Sequence, residues 1–446
     1  MGDCSVCCNT LGQKKVTCKY CEYTTCYSCA TKYLLETSIQ TKCMNCNKVF
    51  SRKDLVDTFG NYFVTNRLKK RRENVLFDLE TSLLPATQER ASYVLQLRVL
   101  KNQLANLVEE NMRIKSEIDE LFTTYSEEYW AARKVKHMRS CSKEFDIMVL
   151  QHNIAQLAGL IHHRRMKTPG GSSSLVIKCV GAECRGFIDC KKAKCELCNT
   201  HICKNCHEIL TDDHQCNKET IESVKLIMND TKNCPKCKSL IHKINGCDQM
   251  FCTLCQTPFS WRTGEVVRGG VLHNPHYYEY LRRTGGVARE IEDIPCGGIP
   301  HYREVVNRLS RAPNPPVAVG TIMEAHRLIQ HVEHIEIPRF RTHDATDNLD
   351  LRTDYLTNDI TLEDFKREIY KREKAREKKR EIQGILVTLV TVCTDIFGDT
   401  DYSDIHTKLE TIRILTNEAC GEVSRVYKCV VPKIYENWTL LNNWKA

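Results

Sequence analysis

Twenty-seven cysteines, most of them in C-x-x-C pairs, constrain this 446-residue chain more than any other feature. They are unevenly spread. Residues 1–58 hold nine and residues 179–255 hold thirteen, while 59–168 hold one and the rest of the chain four. In a small secreted chain such density would mean a disulfide framework. Here the start reads MGDCSVCC, with no charged segment leading into an apolar one, and histidines lie among the pairs. That pattern predicts metal thiolates in a reducing compartment, with the protein in the cytoplasm. The longest strongly apolar run, GILVTLVTVC at 384–393, is about half of the ~20 residues that a membrane span needs, so no membrane is expected as a partner.

The first block contains four pairs: Cys4 and Cys7, Cys18 and Cys21, Cys26 and Cys29, Cys43 and Cys46. Eight thiolates suffice for two zinc ions, and alternating the pairs gives a cross-braced module that needs no large core. Cys8 is surplus. The second block begins with Cys179, Cys184, Cys195 and Cys198, then Cys203, Cys206, His214 and Cys216, again enough for two ions. Cys190 and His207 are alternates to these ligands. The third group is CPKCKSLIHKINGCDQMFCTLC. Cys234, Cys237, Cys252 and Cys255 complete one tetrahedral shell, which leaves Cys247 over. A zinc-bound thiolate is tied up, whereas acyl transfer needs a free one. A loop cysteine beside Gly246 and supported by two ligand pairs suits that task, and Lys243 is placed to lower its pKa. A bystander thiol is the plain alternative.

Between the blocks, Leu97, Leu100, Leu104, Leu107, Ile114, Ile118 and Leu121 recur at alternating three- and four-residue steps, with Asn111 in the same frame. This is a heptad seam with one polar core position, a device that fixes register in paired helices. Two partners are open: a second copy, giving a homodimer through 93–125, or a hairpin with 140–163. KTPGGSSS at 167–174 reads as a linker. Net charge is +9, much of it in RLKKRREN (67–74) and KREIYKREKAREKKRE (366–381). The second run mixes Glu with Lys and Arg at helical spacing, which marks a solvated helix face. Neither run interleaves aromatics, so nucleic acid is not expected as a partner.

In order and spacing the three groups resemble the RING1, in-between-RING (IBR) and RING2 modules of RING-between-RING E3 ubiquitin ligases. The resemblance covers roughly 1–58 and 175–265. It implies that Val6 faces a ubiquitin-conjugating enzyme (E2) and that Cys247, within NGCDQMFC, takes ubiquitin from the E2 as a thioester and passes it to a substrate lysine. The expected fold is thus a set of small zinc-stabilised modules with an α-helical insert, a candidate coiled coil, and an α-helical C-terminal region. The expected domains are a RING1-like module (1–58), the insert (59–168), an IBR-like module (175–218), a RING2-like module (230–265) with an extension (266–310), and the C-terminal helices (320–446). The zinc-and-helix layout, with FSWRTGE and HNPHYYEYLRR, also resembles proteins encoded by large DNA viruses of eukaryotes, which would make the location host cytoplasm or virion.

Three departures from the family pattern stand out. Gln249 occupies the place of a general-base histidine and cannot take a proton; Asp248, His242 and His273 are the substitutes at hand. Ser260 and Thr263 replace two ligands of a second RING2 zinc, and His273, His276, Cys296 and His301 are a candidate sixth site. About 130 residues separate Cys46 from Cys179 where the family has a short linker. The expectation is therefore about five structural zinc ions and a ligase whose partners are an E2, ubiquitin and a protein substrate. The alternative is a non-catalytic zinc-stabilised scaffold or virion-associated interaction protein.

Overall fold

A computed structural model of the chain describes residues 3–36, 41–121, 127–163, 176–243, 248–255, 257–267, 298–311, 319–340, 348–399 and 401–440. The chain divides into two compact units. One comprises Met1–Phe77, Tyr278–Asn348 and Lys366–Ala446; the other comprises Asp78–Tyr277 and Leu349–Phe365.

In the first unit the N-terminal module is built from very short elements. Strands Lys15–Thr17 and Thr24–Cys26 pair antiparallel, with Val16 opposite Thr25, and lead into helix Tyr27–Glu36. Ser51 caps the next helix, Arg52–Phe59. Its hydroxyl accepts the Asp54 N–H, while the Asp54 carboxylate accepts the Ser51 N–H at 3.0 Å. This reciprocal cap satisfies two donors that the first helical turn would otherwise leave bare. The module's apolar cluster, Val16, Leu34, Leu55 and Phe59, runs on through Phe63 to Leu68, past residue 58.

The C-terminal helices of this unit form a conventional core. In helix Leu362–Gly398 the buried residues Ile382, Leu386, Leu389, Cys393 and Phe397 fall on one stripe. They meet Ile322, Ala325 and Ile329 of Val319–His331 and Leu409 and Val423 of Ile405–Tyr427. Three- and four-residue spacing puts such a stripe on one face of a helix. Over 18 residues this helix reaches a mean hydropathy of 1.4, so by length and composition it is apolar enough to cross a membrane, which the ten-residue run alone does not reveal. In the structure those apolar residues pack against the other helices of the unit. Its first half is charged as expected: Arg376 pairs with Glu373 and donates to Asn348 Oδ1, and Glu377 pairs with Arg72.

The second unit is organised on an antiparallel hairpin, Leu84–Glu120 and Glu127–His163. Of the two partners that the seam allowed, the structure supplies the helix of the same chain. Asn111 is buried and its Oδ1 accepts a 2.8 Å hydrogen bond from Ser140 Oγ of that helix. Lys143–Glu110, Lys136–Glu117 and Lys115–Glu144 flank the seam at 2.6–2.8 Å. The base of the hairpin reaches the second and third cysteine modules. Gln88 pairs through its side-chain amide with both backbone groups of Phe187, and Leu83 packs against the third cysteine group.

Residues 349–365, expected within a continuous C-terminal region, belong instead to this unit. Arg352, 4% exposed, donates to Glu80 at 2.5 Å and to Thr87 Oγ1 at 3.0 Å. Arg185 donates to the carbonyls of Tyr355 and Ile360 at 2.9 Å and stacks its guanidinium 4.2 Å from the Tyr355 ring. The segment thereby fastens the second zinc module to the base of the hairpin.

Candidate metal centres

One backbone motif recurs at the cysteines. The N–H of a first cysteine bonds the carbonyl five residues on, and its own carbonyl accepts the N–H four residues on. The pattern holds at Cys4, Cys18, Cys43, Cys195, Cys203 and Cys234. It curls the chain so that amides face the sulfur, as Tyr20 N–H does toward Cys18 Sγ and Asn45 N–H toward Cys43 Sγ. Such amides stabilise a thiolate. The curl requires a left-handed residue at the fifth place, and Cys8, Glu22, Asn47, Asn199, His207 and Lys238 hold φ between 56° and 62° there. Left-handed backbone is unfavourable for residues with a Cβ, so the ligands must over-determine it. Surplus Cys8 and alternate His207 are thus turn residues, not ligands. Alternate Cys190 is buried in the second module, its thiol pushed up to about 11 by burial, and is also outside the ligand groups.

The knuckles converge in five groups. Cys4, Cys7, Cys26 and Cys29 meet, as do Cys18, Cys21, Cys43 and Cys46. Cys179, Cys184, Cys195 and Cys198 form the third group, Cys203, Cys206, His214 and Cys216 the fourth, and Cys234, Cys237, Cys252 and Cys255 the fifth. Within each, all donor atoms lie within 4.8 Å of one another. A tetrahedral zinc with ~2.3 Å Zn–S bonds sets neighbouring sulfurs about 3.8 Å apart. The pairs Cys7–Cys26, Cys18–Cys46, Cys184–Cys195 and Cys237–Cys252 stand at 3.9, 3.8, 3.8 and 3.6 Å. These separations are far beyond a disulfide and match a shared metal. His214 turns Nε2 toward the sulfurs of Cys206 and Cys216, at 3.1 and 3.4 Å.

Charge makes the same point. Without a cation the thiols of one group cannot all ionise. The Cys26 N–H and further amides draw Cys4 down to about 6, while its neighbour Cys26 drives Cys29 up to about 12. In the fourth group the Asn205 N–H lowers Cys203 to about 6, and Cys203 raises Cys216 to about 12. A dication removes this conflict. The residues fit five zinc ions in closed four-ligand shells, which are structural rather than Lewis-acid sites.

Cys247 lies outside the described residues, as do His273, His276 and Cys296 of the candidate sixth site. Its fourth member, His301, accepts the Arg303 N–H on Nδ1 at 3.4 Å at the start of helix Tyr302–Arg311. Around residue 247 the third module is formed by strands Thr231–Asn233 with Leu240–His242, and Gln249–Cys252 with Thr257–Ser260. Gln249 is paired within the second of these ladders, opposite Ser260. Asp248 accepts the Ser260 hydroxyl on Oδ2 and the Arg262 N–H on Oδ1, each at 2.6 Å, and these bonds hold its carboxyl below the usual range. Lys232 and Lys243 approach the Trp261 ring at 5.3 and 6.0 Å.

No family model matches the chain. Curated relatives do. The uncharacterised protein 073L of Frog virus 3 is 34% identical over 110 residues, 24% of this chain and 34% of that protein. The mouse E3 ubiquitin-protein ligase RNF217 is 29% identical over 126 residues, 24% of each chain. The potential E3 ubiquitin-protein ligase ariadne-2 of Caenorhabditis elegans is 32% identical over 120 residues, 23% of this chain and 24% of that one. The chain thus spans about a third of the viral relative and about a quarter of the ligases. Over about a quarter of its length, this zinc-module chain is similar to a viral protein and to E3 ubiquitin-protein ligases.

Proposed function

We propose that this protein is a RING-between-RING ubiquitin ligase. One observation carries the reading: Cys234, Cys237, Cys252 and Cys255 already supply a complete shell, so Cys247 is a fifth cysteine with no place in it. The first module recruits an E2 charged with ubiquitin, and Val6, 49% exposed on its first ligand loop, offers the apolar contact. The Cys247 thiolate attacks the E2–ubiquitin thioester carbonyl, forming a new thioester and releasing the E2 thiolate. A substrate lysine amine then attacks. The isopeptide bond forms, Cys247 leaves as thiolate, and the amine proton passes to a base. Asp248 is a poor base, because both carboxylate oxygens are engaged and its pKa is low. His242 is the described imidazole nearest in sequence to Cys247. The helical hairpin or the C-terminal helices select the substrate, in the cytoplasm of the cell or infected host.

Gln249 favours a second reading, a zinc-stabilised scaffold without the transfer step, since a glutamine in the histidine's place takes no proton. The deciding experiment incubates purified protein with charged E2 and stops the reaction without reductant. The expected result is a thiol-sensitive ubiquitin adduct on the wild type, a hydroxide-labile ester with Cys247→Ser, and none with Cys247→Ala. No adduct on wild-type protein of full zinc content, across a panel of E2s, sinks the ligase reading and leaves the scaffold.

A further inference from the structure

The second zinc that the family resemblance implies for the third module does not fit the residues present, because Ser260 and Thr263 bring hydroxyls where thiolates would stand. Yet the loop keeps the backbone of a metal knuckle. Ser260 N–H bonds the Glu265 carbonyl at 2.9 Å, and Gly264 N–H bonds the Ser260 carbonyl at 2.8 Å. Gly264 holds φ +72°, at the place where the six cysteine knuckles are left-handed, and Thr263 N–H donates to Ser260 Oγ at 3.1 Å as amides elsewhere face a sulfur. Every feature of the knuckle survives except thiol and ion.

Asp248 holds the loop closed. Its Oδ2 accepts the Ser260 hydroxyl, its Oδ1 accepts the Arg262 N–H, and its own carbonyl accepts the Trp261 N–H, all at 2.6 Å. Lys232 Nζ donates to the Trp261 carbonyl at 2.7 Å and lies over its ring, as Lys243 also does at 6.0 Å. In the cysteine knuckles a cation is gripped by anionic side chains; here one anionic side chain grips the amide and hydroxyl donors of the turn. The polarity is reversed and the curl is kept.

We propose that Asp248 replaces the metal of a lost zinc site, and that, by pinning its own backbone to residues 260–262, it is a positioning residue that fixes the chain directly after Cys247 in sequence. The second half of this statement rests on the reading of Cys247 as the ubiquitin acceptor; the first does not.

The test uses the full chain as wild type, Asp248→Ala and Asp248→Asn, with three readouts. Hydrogen exchange of the Arg262 amide should quicken about tenfold in the alanine variant, as expected for losing a hydrogen bond to a charged group, and the Thr263 and Gly264 amides, bonded to Ser260, should quicken as the turn opens. Exchange should quicken less with asparagine, whose Oδ1 still accepts the Arg262 N–H. Zinc per chain should equal wild type in both. Formation of the Cys247–ubiquitin adduct should slow with alanine and recover in part with asparagine. Unchanged exchange in Asp248→Ala, or loss of zinc from it, overturns the replacement. Quickened exchange with an unaltered adduct rate overturns the positioning role. If the wild type forms no adduct, the ligase reading has failed, and the exchange and zinc data still decide whether Asp248 stands in for a metal.

Discussion

The zinc modules and the C-terminal helical core meet the same need, a buried interior, by opposite means. In the third module Cys234 and Cys237, in the turn between two three-residue strands, are fully buried beside Phe259. In the C-terminal core the interior is mainly Ile, Leu, Val and Phe from helices of 10 to 37 residues. A structural zinc concentrates about 10–16 kcal/mol in four side chains. A buried Leu or Phe contributes about 1.5–3 kcal/mol, so the same total must be spread over many contacts. The first kind of core is lost in whole steps and the second erodes gradually.

The largest effect expected is from chelation. Stripping zinc should unfold the modules while leaving the hairpin and the C-terminal helices, which contain none of the grouped ligands. Far-ultraviolet circular dichroism followed alongside zinc release measures this, and helicity falling in step with zinc would break the comparison. Next is Phe397→Ala. Phe397 is fully buried, and its truncation should cost about 3–5 kcal/mol with zinc per chain unchanged. Arg352→Leu tests a polar contact within the other unit. Taking the guanidinium away from buried Glu80 should cost about 3 kcal/mol and quicken protease cleavage near 349–365; no change in either would remove that segment's fastening role.

The smallest effect is a pH slope. Burial raises the Glu381 carboxyl, which accepts the Tyr427 hydroxyl at 2.8 Å. The folded state therefore binds this proton more readily than the unfolded chain. Stability falls as pH rises from the unfolded value near 4.3 through the raised folded one. Glu381→Gln keeps an acceptor for Tyr427 and removes the charge. It should raise the neutral-pH stability by less than about 1 kcal/mol and flatten the pH dependence, read from melting temperatures at pH 4 and 7. A lower melting temperature at pH 7 would show that Tyr427 needs the charged acceptor.

Metal ligands are legible in a sequence because four donors around one ion demand short, repeated spacings. The hairpin seam was legible as a period, and Asn111 as its polar position, but a period does not say which helix answers it; Ser140 does. The bond from Arg352 to Glu80 spans 272 residues and leaves no local trace. The Gln88 amide at the edge of strand Phe187–Asp189 is hidden in the same way. Knuckle turns went unread because most of their left-handed places carry side chains instead of glycine. Ser260 and Thr263 stood out as departures. The role of Asp248 did not, since a carboxylate twelve residues upstream is an ordinary surface residue until the turn it closes is known.

The hairpin has one consequence for how a chain accommodates added length. Its two helices are 37 residues each, about 55 Å long at 1.5 Å per residue. Yet Arg90 near its beginning donates to the carbonyl of Ile161 near its end. Some seventy residues depart and come back to the same place, so within its own unit the excursion closes on itself as a short loop would. Such an arm can be lengthened or trimmed by matched heptads at its tip without disturbing a single metal ligand.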